Sequence, residues 1–422
     1  MVISWGTMVW TWACSPSTNP ATARPPASST AGPTARHRKM PRPAELDPVR
    51  IDARSNRVLV PRDLFEKGLA LLKAHEYTKA ALVFGRIPRL CPRWAGRWSA
   101  HYNQAVALER AGRFRTAARH YALVRRHSPD RSERLDATIR LALCLAWSGR
   151  PKRGLAILDA LFHRQDTDDR HFLDAACAAA RIHIRRKEFD EADRVLERAL
   201  ELARLSASPK SLASRAARCA LWYARVAEAR MEALALELPP RRLERAILRK
   251  SDLFTEARIR YFKVLDHGQA GWSALALERL AAMFEKYFWA VMRAPLPPFR
   301  PVLYYDGKQK RWKTLPAARV RRRYAVRLKR NLRSAMKLAI RVYDKQLDNL
   351  ATSGWSEAVL APARHRMARF ARLVRRMASI PIGAVKSRPV RNRPGPRQAR
   401  SPGRQPPMPC PFMPIPTGLA DR

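Results

Sequence analysis

The sequence predicts an all-α protein, a right-handed helical solenoid with longer helices toward its C-terminus. Three stretches repeat one another at a step of about 37 residues, the range typical of units that bury their apolar faces only by stacking. In each stretch a small residue lies three positions before an apolar one, as Gly68 precedes Leu71, and this is helical spacing. The chain also holds only 16 glycines, while Ala and Leu supply much of its apolar content, as expected for helices.

Each repeat is predicted to be a helix hairpin. In the first, a turn at His75 is followed by the aromatic Tyr77, by the small Ala80 three residues later, and by Phe84 four residues further on. The small residue lets the second helix approach the first closely. The second and third repeats place equivalent residues in register: Gly112, Phe114, Ala117, Tyr121, Gly149, Gly154 and Leu158.

Proline closes each of the first two repeats, at Pro92 and Pro129. The pyrrolidine ring cannot continue the helical hydrogen-bond ladder, so the second helix of each hairpin is expected to end before it. A fourth hairpin is predicted over residues 172–205, where Ala180, Phe189 and Ala192 occupy the expected places. The four repeats together span residues 60–205.

This order of residues resembles the tetratricopeptide repeat, most specifically over residues 62–130. The third repeat departs from the family pattern with Pro151 at the aromatic position, and Lys67 and Gln104 stand where the family has leucine. The resemblance implies a concave groove, lined by the first helices, that holds an extended peptide or a partner helix. The function it implies is a scaffold or adaptor that binds protein partners.

The groove positions of the family can be carried over to this sequence one by one. Aromatic anchors beside cations at these positions suit an acidic peptide or a peptide C-terminus. The alternative is that they are ordinary exposed helix residues. The family's lysine and asparagine clamp for a terminal carboxylate is not clearly reproduced, since only Lys73 and Asn103 come near it. The ten positions are Phe65, Leu69, Lys73, Tyr102, Val106, Glu109, Arg110, Trp147, Arg181 and Arg185.

Residues 206–377 are predicted to extend the solenoid with longer helices. The helices are expected at 211–238, 241–267, 272–293 and about 317–350, with a closing helix after Gly354 and Trp355. Residues 299–315 are predicted to be an inserted loop or a short hairpin. The pattern of this region is similar to the C-terminal part of tetratricopeptide proteins of bacterial cell envelopes, including gliding-motility proteins. That similarity implies a scaffold role in an envelope complex.

The charge balance is extreme. The formal net charge is +48, and arginine outnumbers lysine by about four to one. Arginine is spread over most of the predicted helices, which indicates a compositional bias as much as a binding patch, since a nucleic-acid binder usually clusters its cations on one face or arm. The sequence therefore disfavours nucleic acid as a binding partner without excluding it. Charge-driven binding of RNA or of an anionic lipid surface is the alternative function.

The two ends of the chain are predicted to lie outside the solenoid. Residues 1–14 resemble a lipoprotein signal, in which Cys14 would be lipidated, although the start carries no Lys or Arg and a nonfunctional apolar start is the alternative. Residues 15–50 are predicted to be a disordered tether, and residues 378–422 a disordered Pro- and Arg-rich tail. The predicted location is the bacterial cell envelope, lipid-anchored in the periplasm, with the cytoplasm as the alternative.

No sequence motif of an enzyme is found. The chain has no glycine-rich phosphate loop, HExxH or GxSxG motif, so a non-enzymatic protein without cofactor or metal is predicted. The acidic run around Asp168 lacks the residues of a calcium loop and is interpreted as a solvated turn. No cysteines form a CxxC pair, and Cys144, Cys177 and Cys219 are expected to be buried small hydrophobic residues.

Overall fold

The protein is an all-α solenoid of helix hairpins, as the sequence predicts. The computed structural model describes residues 50–52, 57–164, 167–237, 240–296, 298–306, 309 and 311–380. A short antiparallel pair of strands, not expected from the sequence, precedes the first helix: β1 Arg50–Asp52 and β2 Arg57–Leu59. The repeat region then forms eight helices: α1 Pro61–Lys73, α2 Tyr77–Leu90, α3 Arg97–Arg110, α4 Phe114–His127, α5 Arg131–Trp147, α6 Pro151–Phe162, α7 Asp169–Arg186 and α8 Phe189–Leu205.

The turns inside the four hairpins repeat one backbone conformation. His75, Gly112 and Gly149, which the sequence places in register, have φ values of 61°, 74° and 93°, and Lys187 takes φ 63° at the same place in the fourth hairpin. The left-handed conformation ends the first helix and reverses the chain into the second. Glycine adopts it without steric cost, whereas a side chain at His75 or Lys187 makes it less favourable. The predicted turn register is therefore confirmed.

The small and aromatic residues of the repeats form the core of the hairpins. Ala80 and Ala117 are fully buried, as are Phe84 and Tyr121 one helical turn further along. A helix can approach its neighbour closely only where a small side chain faces it, and the aromatic ring then fills the wider space beside that contact. α2 and α4 end before Pro92 and Pro129, as predicted.

Gly154 marks a close approach between the backbones of two helices, α5 and α6. A Cβ atom at this position would lie 2.5 Å from the carbonyl oxygen of Ala142. Helix propensity alone would make Gly154→Ala stabilising by about 1 kcal/mol. We expect the opposite sign, a loss of about 1–3 kcal/mol in the free energy of unfolding, because a backbone oxygen cannot move aside without shifting α5.

Urea denaturation followed by circular dichroism measures this change. The control is Arg153→Ala, one residue earlier on the exposed side of α6, which should leave the free energy of unfolding within about 0.5 kcal/mol of wild type. A stabilised Gly154→Ala protein would show that α5 and α6 are further apart than described.

The described residues divide into two compact units, one ending at Tyr223 and the other beginning at Ala224, within helix α9 Pro209–Ala233. The sequence predicted that this helix would reach residue 238, and it ends five residues earlier. The reason is Lys250, a buried lysine whose ammonium donates to the carbonyl oxygens of Met231 (2.6 Å) and Leu234 (2.7 Å). These bonds satisfy the carbonyl of Met231 in the last turn of the helix and that of Leu234 just beyond it, and they cap this end.

The second unit contains the four remaining helices and the predicted hairpin. Its core contains an aromatic cluster, in which Phe284 of α11 contacts Phe254, Tyr343 and Phe370 at ring-centroid distances of 5.0, 6.0 and 6.3 Å. α11 packs against α10, α12 and α13. The elements are α10 Pro240–Lys263, α11 Ala270–Met292, β3 Val302–Asp306, β4 Arg311–Leu315, α12 Ala317–Thr352 and α13 Glu357–Arg375.

Several predictions for the chain ends fall outside the described residues. They are the signal at 1–14, the lipidation of Cys14, the tether up to residue 49 and the tail from residue 381. The envelope location stays a prediction. Within the described part of the chain, no helix is both long and apolar enough to cross a membrane.

Candidate partner-binding surface

Four side chains on three successive first helices stack on one another in the first unit. The guanidinium carbon of Arg181 on α7 lies 5.4 Å from the ring centroid of Trp147 on α5 and 5.4 Å from that of Trp222 on α9. Arg185, one helical turn after Arg181, lies 5.4 Å from the Trp147 ring. We call Trp147, Arg181, Arg185 and Trp222 the Trp–Arg ladder. Cations over tryptophan faces contribute about 0.5–2 kcal/mol each.

The alignment of α7 with α9 holds the ladder in register. Asp174 on α7 accepts hydrogen bonds from Arg215, at 3.3 Å, and from Arg218 on α9. About one turn along α7, the sulfur atoms of Cys177 and Cys219 are 2.8 Å apart, and burial raises the pKa of the Cys177 thiol well above its usual value. Both contacts lie on the same pair of helices as Arg181 and Trp222. These contacts between α7 and α9 therefore position Arg181 and Trp222 of the ladder.

Three cysteines of the repeat region and α9 confirm one prediction, and two of them make a contact that was not predicted. Cys144, Cys177 and Cys219 are all buried, as expected for small hydrophobic residues in apolar helical runs. The contact between Cys177 and Cys219 was not predicted. The two residues are separated by 42 positions, so no local spacing motif could indicate that they meet.

A buried polar network lies between α3, α4 and α5. The carboxylate of Glu109 accepts hydrogen bonds from the Tyr121 hydroxyl, at 2.7 Å, and from Arg140, at 3.0 Å. The Arg140 guanidinium also lies 5.8 Å from the Tyr102 ring centroid, and burial raises the pKa of Tyr102 to about 12. The charge of Arg140 is thus matched by a carboxylate inside the unit, and the network acts in stability.

Asp168 caps the start of α7. Its carboxylate accepts a hydrogen bond from the backbone N–H of His171 at 2.8 Å and lies 2.6 Å from Nδ1 of the same histidine. Burial alone would raise the pKa of Asp168, but these hydrogen bonds outweigh it and lower the pKa. Across the described residues, no three or more His, Cys, Asp or Glu side chains are grouped to hold a metal ion. Asp168 is explained by its role as a helix cap.

The structure corrects four of the ten predicted groove positions. Phe65 is completely buried, with its ring 5.5 Å from Phe84 and 5.7 Å from Trp94 in edge-on contacts. The segment between α2 and α3 brings Trp94 over this position, which the family pattern leaves open. The same close packing of the early helices also buries the side chains of three further predicted groove residues, Tyr102, Val106 and Glu109.

The other six predicted positions are accessible in part or in full. Lys73 and Arg185 are exposed, Leu69 is half-buried against the core, and Arg110 is half-buried. Of these six, Trp147, Arg181 and Arg185 come together. The fourth member of the ladder, Trp222, was missed because the predicted repeats stop at residue 205. The signal was available, since Trp222 follows Arg181 by 41 residues, close to the repeat step.

Comparisons with known proteins give only distant structural likenesses. No family model and no curated protein matches the chain. Among solved structures, a human IFIT1 dimer with m7Gppp-AAAA matches with a TM-score of 0.32 and 15% identity over 77% of this chain and 74% of that one. A human IFIT1 dimer with PPP-AAAA matches with a TM-score of 0.34 and 16% identity over the same shares. Likenesses this distant carry no information about ligands.

Proposed function

We propose that this protein is a non-enzymatic scaffold that binds an extended acidic peptide of a partner protein across α5, α7 and α9. The observation that carries the proposal is the Trp–Arg ladder. Tryptophan and arginine are the residue types most enriched where binding energy concentrates at protein interfaces. The two indole rings offer flat apolar area, and the two guanidinium groups suit the carboxylates of Asp, Glu or a chain terminus.

The geometry favours recognition of a carboxylate next to an apolar side chain. Arg181 is held between the rings of Trp147 and Trp222, so its guanidinium loses little conformational freedom when a ligand binds. Arg185 is exposed one turn further along α7, where it can reach a second carboxylate. An extended peptide that crosses the three first helices would therefore place acidic and apolar side chains in alternation on this surface.

A labelled peptide of alternating glutamate and leucine tests the proposal by fluorescence anisotropy with the full chain. We expect Trp147→Ala and Arg185→Glu each to weaken binding at least about tenfold, because each removes one anchor of the ladder. The matched control is Arg153→Glu, which makes the same change of charge at an exposed position on α6, a helix that carries no ladder residue. It should leave the affinity within about twofold of wild type.

Two results would contradict this function. Equal weakening by Arg153→Glu and Arg185→Glu would show that the peptide responds to net charge and not to the ladder. Saturable binding that survives Trp147→Ala unchanged would show that the peptide sits elsewhere. Thermal unfolding of each variant, followed by circular dichroism, separates lost binding from lost folding.

A further inference from the structure

Helix α12 in the second unit carries a straight line of cations. Seven of them follow one another at steps of 4, 4, 3, 3, 4 and 4 residues, so they lie on one face of the helix. At 1.5 Å per residue this line is about 33 Å long. The helix contains no Asp or Glu before Asp344. We call the line the α12 stripe, and its members are Arg319, Arg323, Arg327, Arg330, Arg333, Lys337 and Arg341.

The α12 stripe faces away from the core. The buried residues of the helix begin only at Leu332 and include Met336, Tyr343 and Leu347, which lie on the opposite side. Six of the seven stripe residues are exposed, and Arg333 is half-buried. The sequence indicated that arginine is spread over most of the predicted helices. On α12, six of the eight arginines follow the stripe, and the other two, Arg321 and Arg322, are exposed beside it.

An exposed aromatic pair lies immediately before the stripe. The β3–β4 hairpin leads through Pro316 directly into α12, and its register pairs Tyr305 with Trp312 and Leu303 with Thr314 on one face. Tyr305 is 53% exposed and Trp312 69% exposed, with ring centroids 5.6 Å apart. The structure therefore offers two accessible aromatic rings at the start of a cationic helix.

We propose that the α12 stripe and the Tyr305–Trp312 pair form a binding site for single-stranded nucleic acid. Arginine guanidinium groups along the stripe suit successive phosphates, to which they can bind with two parallel hydrogen bonds. Unpaired bases stack on exposed tyrosine and tryptophan rings, at about 1–3 kcal/mol for each base. A single strand supplies both ligands, whereas a duplex keeps its bases stacked on one another.

A lipid surface fits the same region less well. A helix that lies in a membrane interface buries a broad apolar face in the lipid, but from Leu332 onward the apolar face of α12 is already covered by the core of the second unit. The exposed large apolar residues of α12 are Val326 and Leu338. The stripe thus has the charge that anionic lipid attracts without the apolar face that would hold the helix there.

The test uses the full chain and a short fluorescein-labelled oligouridylate, followed by anisotropy between about 50 and 200 mM salt. Reversing three stripe charges, in Arg319→Glu/Arg323→Glu/Arg330→Glu, should weaken binding at least about 30-fold at the lower salt. It should also reduce the slope of log affinity against log salt by about 2, as expected for three lost phosphate contacts on a single strand. Trp312→Ala should weaken binding about tenfold and leave the salt slope unchanged.

The chain supplies a closely matched control on α4. Arg115→Glu/Arg119→Glu/Arg126→Glu changes three exposed arginines with the same spacing of 4 and 7 residues and gives the same net charge. It should bind the oligouridylate within about threefold of wild type. Far-ultraviolet circular dichroism confirms that every variant is folded before its affinity is compared.

Three outcomes would overturn the proposal. Equal losses in the α12 and α4 variants would show that net charge alone attracts RNA. Tighter binding to a duplex of the same length than to the single strand would rule out base stacking on the hairpin. Vesicles of anionic phosphatidylglycerol that bind wild type, when the oligouridylate does not, would assign the stripe to a membrane surface. None of these outcomes depends on the Trp–Arg ladder.

Discussion

Glu109→Ala is expected to lower the free energy of unfolding of the first unit by about 3–5 kcal/mol. The carboxylate of Glu109 is the shared acceptor for Arg140 on α5 and for the Tyr121 hydroxyl on α4. Tyr121 is fully buried, and the Arg140 side chain is only 25% exposed. Removing the carboxylate leaves a charge and a hydroxyl without this acceptor in a place that water reaches poorly, and that is costly.

Urea denaturation of the variant, compared with Glu76→Ala, measures the effect. Glu76 also pairs with a cation, Lys79 at 2.5 Å, but both side chains are exposed, so its removal should cost less than about 1 kcal/mol. Replacing both buried partners, in Glu109→Leu/Arg140→Met, should recover most of the loss because no charge is then left unmatched. A single Glu109→Ala variant as stable as Glu76→Ala would refute the network's structural role.

Glu228→Ala is expected to have a similarly large effect on the second unit, again about 3–5 kcal/mol. Glu228 is buried, accepts a hydrogen bond from the Tyr261 hydroxyl, and lies 2.7 Å from the ammonium of Lys286 and 3.8 Å from Arg279. It thus joins α9, α10 and α11. Loss of the carboxylate leaves the Tyr261 hydroxyl and two cations without their shared partner.

The effect of Glu228→Ala should depend on pH. Burial alone would raise the pKa of Glu228, but the charges of Lys286 and Arg279 outweigh it, so the pKa lies below its usual value. A carboxyl with a lowered folded-state pKa stabilises the protein above its unfolded pKa of about 4.3, and the contribution is lost as the pH falls through the folded pKa. The difference in the free energy of unfolding between wild type and Glu228→Ala should therefore be largest at pH 7 and should decrease as the solution becomes acidic.

Urea titrations at neutral and acidic pH measure this dependence. The control is Glu232→Ala, the neighbour of Glu228 that contacts the same Lys286 with both side chains well exposed, which should cost less than about 1 kcal/mol at neutral pH. A loss for Glu228→Ala that stays constant across the titration would show that the carboxylate is not held ionised by its cations.

The sequence predicted the hairpins of the repeat region well because their signals are local. The turn at Gly112 and the small residue at Ala117 each act through neighbours a few positions away, and the structure confirms both. The end of α9 was predicted less well. Lys250 sets that end from another helix, and no residue near Ala233 indicates it. The burial of Phe65 was missed for the same reason, since Trp94 reaches it from outside its own hairpin.

By itself the sequence determined the all-α class, the repeat step, the turn positions and the spacing of cations along α12, because all of these follow from helical periodicity over a few residues. Only the tertiary structure decided that Arg181 lies between Trp147 and Trp222, and that the α12 stripe is exposed. Those facts depend on how helices distant in sequence align and which faces they cover. Packing between whole helices fixes that alignment, and no local pattern encodes it.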